Sequence, residues 1–418
     1  MFTKSFLKKI AEKEGVPLSY IEQKIKEGKI IIPLNKKKNI KNITAIGEGL
    51  KIKINTNIGT STENTDIKDE ITKLNTAVKF GSNTVMDLST GGDLRKIRKA
   101  IIKNSSVPVG TVPIYEVAKE VERRRGSFDR IKKDDILEII EAQAQEGVDF
   151  FTIHAGILKE ALNILENRKR IGGIVSRGGA IIARWMYVNN KENPLYENFD
   201  AIVDIVRKYR VTISLGDALR PGAIADSTDK LQLLELFTLS KLVKKCRRKG
   251  VQVMVEGPGH IKLDEIGMNV ILQKKICGGI PFYILGPLPT DIASGYDHIT
   301  SAIGSTIAAM HGADFLCVVT PAEHLRHPSI KDIQEGVIAS KIAAHSVDVL
   351  RFEDEWKRDL LLSKYRSQRR WEEVFKLTLD KDKAKNYRKS EKTSLNDICT
   401  MCGKFCSLKI IDSCNLLK

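Results

Sequence analysis

No stretch of about 18 or more uncharged apolar residues occurs in the chain, so no helix is expected to cross a membrane. The opening Met1-Phe-Thr-Lys-Ser-Phe-Leu-Lys-Lys is too short in its apolar part for a secretory signal, which makes the cytoplasm the expected setting. Thiols stay reduced there, so disulfide staples are not expected. Cysteine is in any case scarce, with seven in 418 residues. Acidic side chains are short too: 52 Asp and Glu face 69 Lys and Arg, a formal charge of +17. Such a surplus suits nucleic acid, or small substrates bearing phosphate and carboxylate. A basic tract, however, is missing. The lysines are dispersed, and their densest cluster, Lys36-Lys37-Lys38, falls in an expected linker, so solvated faces explain the surplus more simply.

The few cysteines are not spread evenly. Cys399-Thr-Met-Cys402-Gly-Lys-Phe-Cys406 puts three thiols in eight residues, with Cys414 just beyond. Thiolates this close repel one another unless a cation or an iron–sulfur cluster neutralises them. Three of them can hold three irons of a four-iron cluster, leaving the fourth iron open to an outside ligand. A zinc knuckle with Cys414 as fourth ligand fits the spacing equally well, because counting thiols does not identify the metal.

The length fits one large barrel-class domain with smaller appendages. Residues 1–48 read as a helical preface, with helices expected over Ser5–Glu14 and Ser19–Glu27 around Gly15 and Pro17. Two short helices with a turn also suit a DNA-binding motif, but a packing appendage is the better reading. Residues 49–345 alternate β-like and helical segments, which predicts a parallel sheet with helices outside. The β-like segments are Lys51–Asn57, Thr84–Leu88, Val107–Ile114, Phe150–His154, Gly173–Ser176, Val211–Leu215, Val251–Val255, Phe282–Leu285 and Phe315–Val319. That is one more than an eight-stranded barrel needs; either the first or Gly173–Ser176 lies outside it. Chemically capable residues end these segments in step: Asn57, Met86-Asp87, Tyr115, His154, Ser176-Arg177, Asp217 with Arg220, Glu256 with His260, Tyr283, and His324. In an α/β protein of the (β/α)8 TIM-like barrel type, strand carboxyl ends form one rim, and that rim is the active site. Residues 346–418 read as a helical C-terminal region, with helices over Val347–Tyr365, Ser367–Leu377 and Asp380–Arg388, carrying the cysteine loop.

Within Glu256-Gly-Pro-Gly-His260 the glycines let backbone approach a ligand and Pro258 fixes the turn. His260 and His324 are candidate imidazole ligands for a divalent metal, with Glu323 and His327 as adjacent rivals. Ser176-Arg177-Gly178-Gly179 and Asp217-Ala-Leu-Arg220 each set an Arg beside small or turn residues, suited to gripping phosphate, or to a plain Arg–Asp pair at the barrel mouth. The turn Asp291-Ile-Ala-Ser-Gly-Tyr-Asp297-His298 leads into a helix whose start can hold an anion. Trp185 and Trp371 are simplest as core or interface residues.

With these motifs assembled, the sequence resembles the ThiC family of radical S-adenosylmethionine enzymes. The resemblance runs from about residue 50 to the end. It rests on Ile54-Asn-Thr-Asn-Ile-Gly-Thr-Ser61, Thr84-Val-Met-Asp-Leu-Ser-Thr-Gly91, Val107-Pro-Val-Gly-Thr-Val-Pro-Ile-Tyr115, Phe151-Thr-Ile-His-Ala-Gly156, Gly173-Ile-Val-Ser-Arg-Gly-Gly179, Glu256-Gly-Pro-Gly-His260, Ser294-Gly-Tyr-Asp-His-Ile-Thr-Ser301 and Lys341-Ile-Ala-Ala-His345. It implies a (β/α)8 barrel in a homodimer, each cysteine loop covering the partner's barrel. It also implies conversion of 5-aminoimidazole ribonucleotide to a hydroxymethylpyrimidine phosphate, with S-adenosylmethionine and a ferredoxin- or flavodoxin-type electron donor. Matching motifs put substrate contacts at Asn57, Met86, Tyr115, His154, Ser176, Arg177, Gly178, Asp217, Ala218, Leu219, Arg220, Glu256 and Tyr283. They put a zinc or iron ion at His260 and His324, a [4Fe-4S] cluster at Cys399, Cys402 and Cys406, and a catalytic role on Glu256 and those cysteines. No nucleic-acid or membrane partner is implied.

Four departures from the family pattern stand out. Three residues, not four, separate Cys402 from Cys406; Asn189-Asn190 replace paired histidines; Ala218 replaces a glycine and Ser294 a proline. Two other readings make distinct predictions. A 5-hydroxybenzimidazole synthase would take the same substrate to another product. A zinc-knuckle nucleic-acid-binding protein would be colourless and bind RNA in a salt-sensitive way.

Overall fold

A computed structural model of the chain describes residues 2–38, 40–167, 170–389 and 398–414. It comprises two compact units, Met1–Val347 and Asp348–Lys418. The first opens with helices Lys4–Glu14 and Leu18–Lys26, within a residue or so of expectation. Thr3 caps the first helix, accepting from the Phe6 amide, and Gly15 ends it at φ 72°. Leu7, Ile10, Ala11 and Ile21 join Ile30, Ile32 and Leu34 in a small core of their own. A two-stranded antiparallel ribbon follows, β1 (Ile30–Ile31) and β2 (Ile46–Gly47). The sequence does not announce it, because two residues are too few to show a period.

Lys36–Lys38 is not a loose linker. Lys38 Nζ lies 2.8 Å from Asp149 Oδ2, and the same carboxylate accepts from the amides of Asn35 (2.9 Å) and Val109 (2.8 Å). A buried pair, Lys53 Nζ to Glu14 Oε2 at 2.9 Å, ties the preface to the first barrel strand.

The barrel strands are β3 (Lys53–Ile58), β4 (Thr84–Asp87), β5 (Val109–Thr111), β6 (Phe150–Ile153), β7 (Thr212–Leu215), β8 (Val253–Gly257), β9 (Phe282–Leu285) and β10 (Phe315–Cys317). They pair in parallel and close in the order β10-β3-β4-β5-β6-β7-β8-β9. Both faces are covered, so β6, β9 and β10 are near-continuous apolar runs, whereas β3 alternates Ile with buried Lys53, Asn55 and Thr56. Two aromatic rings fill places that glycines leave open. A Cβ on Gly110 would sit 2.2 Å from the Phe150 ring, and one on Gly257 would sit 2.1 Å from the Phe282 ring. Of the nine expected strands, Gly173–Ser176 is the one outside the barrel. Its one glycine, Gly173, sits at φ 58°, outside the extended range of a strand, and the run instead leads into helix Arg177–Asn189, capped by Ser176.

Helix Ile330–Arg351 runs through the end of the first unit, where a helix was expected to start only at Val347. The chain goes extended at Phe352 before helix Glu353–Ser367. In the second unit, Trp371–Leu377 and Lys381–Lys389 are helical, Val374 and Phe375 are buried, and the Arg388 guanidinium stacks 4.3 Å from the Trp371 ring. Trp185 is buried, its Nε1 donating to Ile131 O at 3.1 Å. Among the described residues no helix is long and apolar enough to cross a membrane.

Candidate active site

A cavity opens at the carboxyl ends of the strands. Every barrel strand, or the segment just after it, sends it a side chain: Asn57 from β3, Met86 from β4, Tyr115 after β5, His154 after β6, Asp217 and Arg220 after β7, Glu256 from β8, Tyr283 from β9 and Cys317 from β10, with Ser176 at the head of its helix. Cys317 and Thr152 were not foreseen, since nothing local distinguishes an inward residue in a buried strand. Asn55 Nδ2 donates to both Tyr283 Oη (2.7 Å) and Asn57 Oδ1 (2.9 Å), and Asn57 Nδ2 donates to Cys317 Sγ (3.2 Å). Burial holds the Tyr283 hydroxyl well above its ordinary range and pushes the Cys317 thiol up to about 12, so both stay protonated.

Glu256 accepts from Thr152 Oγ1 (2.6 Å) and Ser214 Oγ (2.8 Å). It keeps some surface open to the cavity, yet the dense protein around it raises its carboxyl. Arg220 donates to Asp217 Oδ1 at 3.0 Å, while the buried Asp217 Oδ2 has no partner among the described residues. Burial is the main cause that pushes Asp217 up, to about 7; Arg220 opposes the rise and Glu256 adds to it. Burial, helped by Arg220, drops His154 from 6.5 to about 3, and its Nδ1 likewise lacks a partner. At neutral pH the pocket therefore offers a neutral imidazole, one guanidinium and two carboxyls that resist sharing the negative charge.

These shifts carry opposite pH slopes. Stability from Asp217 is complete below its unfolded value of 3.8 and is lost as pH rises through about 7. Stability from His154 is complete above 6.5 and is lost as pH falls toward about 3. Between 3.8 and 6.5 the two offset each other. Asp217→Asn removes the first, so unfolding free energy in the variant should climb with pH across that window by up to about 1.4 kcal/mol per pH unit. Denaturant unfolding across the window checks this; a variant with the wild-type pH profile would refute it.

The remaining expected contacts lie around this cavity. Arg177 stands 5.1 Å from the Tyr115 ring, donates to Leu88 O at 3.2 Å and lines a larger neighbouring cleft with Gly59, Lys73 and His324. Gly178 supports His154: a Cβ there would meet the ring at 2.4 Å, while one on Gly216 would meet its other side at 2.9 Å. The imidazole cannot yield either way. Gly178→Ala is expected to cost about 1–3 kcal/mol in thermal unfolding and to weaken substrate binding with it. Ala218 and Leu219 are buried and present backbone: their amides donate to Glu235 at 2.9 and 2.6 Å. Glu235, buried on helix Lys230–Arg248, escaped sequence reading because it looks like any helical glutamate.

His260 and His324 come together, with their Nε2 atoms 3.4 Å apart and ring centroids 5.2 Å apart. Of the two rivals, His327 is committed elsewhere. Its Nε2 donates to Gly59 O (2.8 Å), and Nδ1 faces the buried Lys73 ammonium (3.3 Å). Glu323 is raised by burial. Among the described residues no group of three or more His, Cys, Asp or Glu converges as a metal site, so protein donors at the histidine pair number two.

In the second unit Cys399, Cys402 and Cys406 are free thiols, with Cys402 exposed and Cys406 buried. The three-residue spacer closes as one 3-10 turn, Gly403–Phe405, with Gly403 at φ 51°. Three free thiols on one short turn are the right donor chemistry for a cluster, although they are not drawn to a single point.

Fold and pocket together define a closed parallel (β/α)8 barrel with a cavity at the carboxyl ends of its strands, the end where such barrels carry their active sites. The chain belongs to the Radical SAM ThiC family, whose model matches residues 2–413. Membership implies S-adenosylmethionine and an iron–sulfur cluster. The chain is 52% identical over 405 residues to the phosphomethylpyrimidine synthase of Thermoanaerobacter sp. (strain X514), covering 96% of this chain and 93% of that one. Proteins of the same name from Desulforamulus reducens and Clostridium kluyveri are each 49% identical, covering 97% and 96% of this chain and 94% and 92% of theirs.

Proposed function

We propose that the chain is itself a phosphomethylpyrimidine synthase. It converts 5-aminoimidazole ribonucleotide, with S-adenosylmethionine, to 4-amino-5-hydroxymethyl-2-methylpyrimidine phosphate, formate and carbon monoxide in thiamine biosynthesis. The observation that carries the reading is the cavity in which Asn57, His154, Asp217, Arg220, Glu256 and Tyr283 meet from separate strands. Its one guanidinium and two carboxyls suit phosphate and ribose or amine groups.

On this reading Arg220 and Arg177 hold phosphate or ribose. Ser176 and the amides that follow it complete the cradle beside Gly178, while the Ala218–Leu219 backbone, fixed by Glu235, shapes its floor. His154, neutral at working pH, presents Nδ1 to the substrate. Glu256, held by two hydroxyls, takes or gives a proton at the base or its amine. Met86 and Tyr115 close the apolar side. Cys399, Cys402 and Cys406 would hold the cluster, which supplies one-electron reduction of S-adenosylmethionine when bound, drawing on a ferredoxin- or flavodoxin-type donor. His260 and His324 would hold a zinc or iron ion that orients the methionine part of that cosubstrate. A homodimer is part of the proposal.

Anaerobic reconstitution with iron and sulfide tests it. With 5-aminoimidazole ribonucleotide and S-adenosylmethionine present, 5′-deoxyadenosine and the pyrimidine phosphate should accumulate together. Mass spectrometry showing 5-hydroxybenzimidazole would move the chain to that synthase. Colourless, zinc-loaded protein forming neither product would end the radical reading.

A further inference from the structure

The turn Asp291–His298 reads in sequence as an anion site, yet its own carboxylates take a different post. Asp291 Oδ1 lies 2.7 Å from His260 Nδ1, and Asp291 Oδ2 accepts from the Ile224 amide at 3.0 Å. Asp297 Oδ1 lies 3.4 Å from His324 Nδ1, and Asp297 Oδ2 accepts from the Gly295 amide at 3.2 Å. Each carboxylate is thus anchored by a backbone amide through one oxygen and faces an imidazole with the other. An ionised carboxylate only accepts hydrogen bonds, so His260 places its proton on Nδ1, and the Asp297 charge 3.4 Å from His324 Nδ1 favours the same tautomer there. A neutral imidazole has no second proton. When both rings are neutral and protonated on Nδ1, the two Nε2 atoms, 3.4 Å apart, turn lone pairs toward each other. That arrangement is repulsive until a positive charge joins the two nitrogens.

We infer that Asp291 and Asp297 are positioning residues for a divalent cation at His260 and His324; this rests on the reading of that pair given above. Their work is to fix the tautomer and aim both rings at one point. The support behind them is rigid. Asp297 is the buried first residue of helix Asp297–Met310, which lies so close to the preceding loop that a Cβ on Gly304 would fall 2.0 Å from Pro287 O. His324 itself sits at φ 64°, a conformation a histidine adopts at a cost, and its loop is pinned three residues on by the bond from His327 to Gly59. His327 is not part of the pair because both its ring nitrogens are engaged, by Gly59 O and the Lys73 ammonium.

Cobalt(II) titration of the full chain, followed by absorbance and calorimetry without substrate or turnover, tests this. Wild type should bind a single cobalt ion, and His260→Ala should abolish it. Asp291→Ala and Asp297→Ala should each weaken binding about 10- to 100-fold, with the Asn variants in between because an amide oxygen still accepts from Nδ1. Long-range proton–nitrogen spectra of histidine-labelled protein should show both rings protonated on Nδ1 in wild type and Asp291→Asn, and this state lost at His260 in Asp291→Ala. Folded Ala variants binding cobalt as wild type does, with unchanged tautomers, would overturn the carboxylates' role and leave the cation site standing. A wild type that binds no cobalt, or a His260→Ala that binds it normally, would overturn both, the second nitrogen then sharing only a proton.

Discussion

Cys402→Ala is expected to abolish formation of both 5′-deoxyadenosine and the pyrimidine, a loss on the order of 10³-fold or more, with hardly any change in stability. Groups that act as one unit fail together, so two thiolates should not retain a proportionate share of activity. The side chain is exposed, so its truncation should move unfolding free energy by no more than about 0.5 kcal/mol. Reconstituted iron and sulfide content, product assays and thermal melts on the same sample separate these effects. Full activity in the variant would remove the cysteine loop from the chemistry and favour a barrel hydrolase using the two histidines alone. The one-turn spacer between Cys402 and Cys406 makes a further comparison useful: inserting a proline after Gly403 restores the family's usual spacing and should not reduce cluster content.

Arg220→Ala should lower affinity for 5-aminoimidazole ribonucleotide on the order of 10²- to 10³-fold and lower the melting temperature as well. Arg220 is the cation beside both Asp217 and Glu256. Without it two carboxyls share a water-poor pocket, and each must take up a proton or bear an unpaired charge. The double variant Asp217→Asn/Arg220→Ala distinguishes the two losses. Removing the orphaned charge should recover much of the melting temperature, while affinity stays low because the substrate's anion has lost its partner. Calorimetric binding in protein without a cluster reads this directly. Wild-type affinity in Arg220→Ala would strike it from the site.

Much of this enzyme was legible before any coordinates. Alternating β-like and helical segments gave the barrel, because a buried parallel strand and an amphipathic helix leave local signatures. The residues ending those segments gave Asn57, His154, Asp217, Arg220, Glu256 and Tyr283, since strand carboxyl ends share one rim. The ribbon β1–β2, the burial of Lys38 on Asp149 and the break at Phe352 left no such signature; each depends on partners far away in the chain.

The sequence by itself determined the family, the eight-stranded plan and the chemistry available at the rim and in the cysteine loop. Tertiary structure alone decided that Gly173–Ser176 stays out of the sheet, that Glu235 holds the Ala218–Leu219 backbone, and that His327 serves Gly59 while His260 faces His324. The physical reason is range. Periodicity and residue type act over a few neighbours, whereas the commitment of an imidazole nitrogen or a buried carboxylate is set by atoms within about 3 Å, contributed by segments tens to hundreds of residues apart.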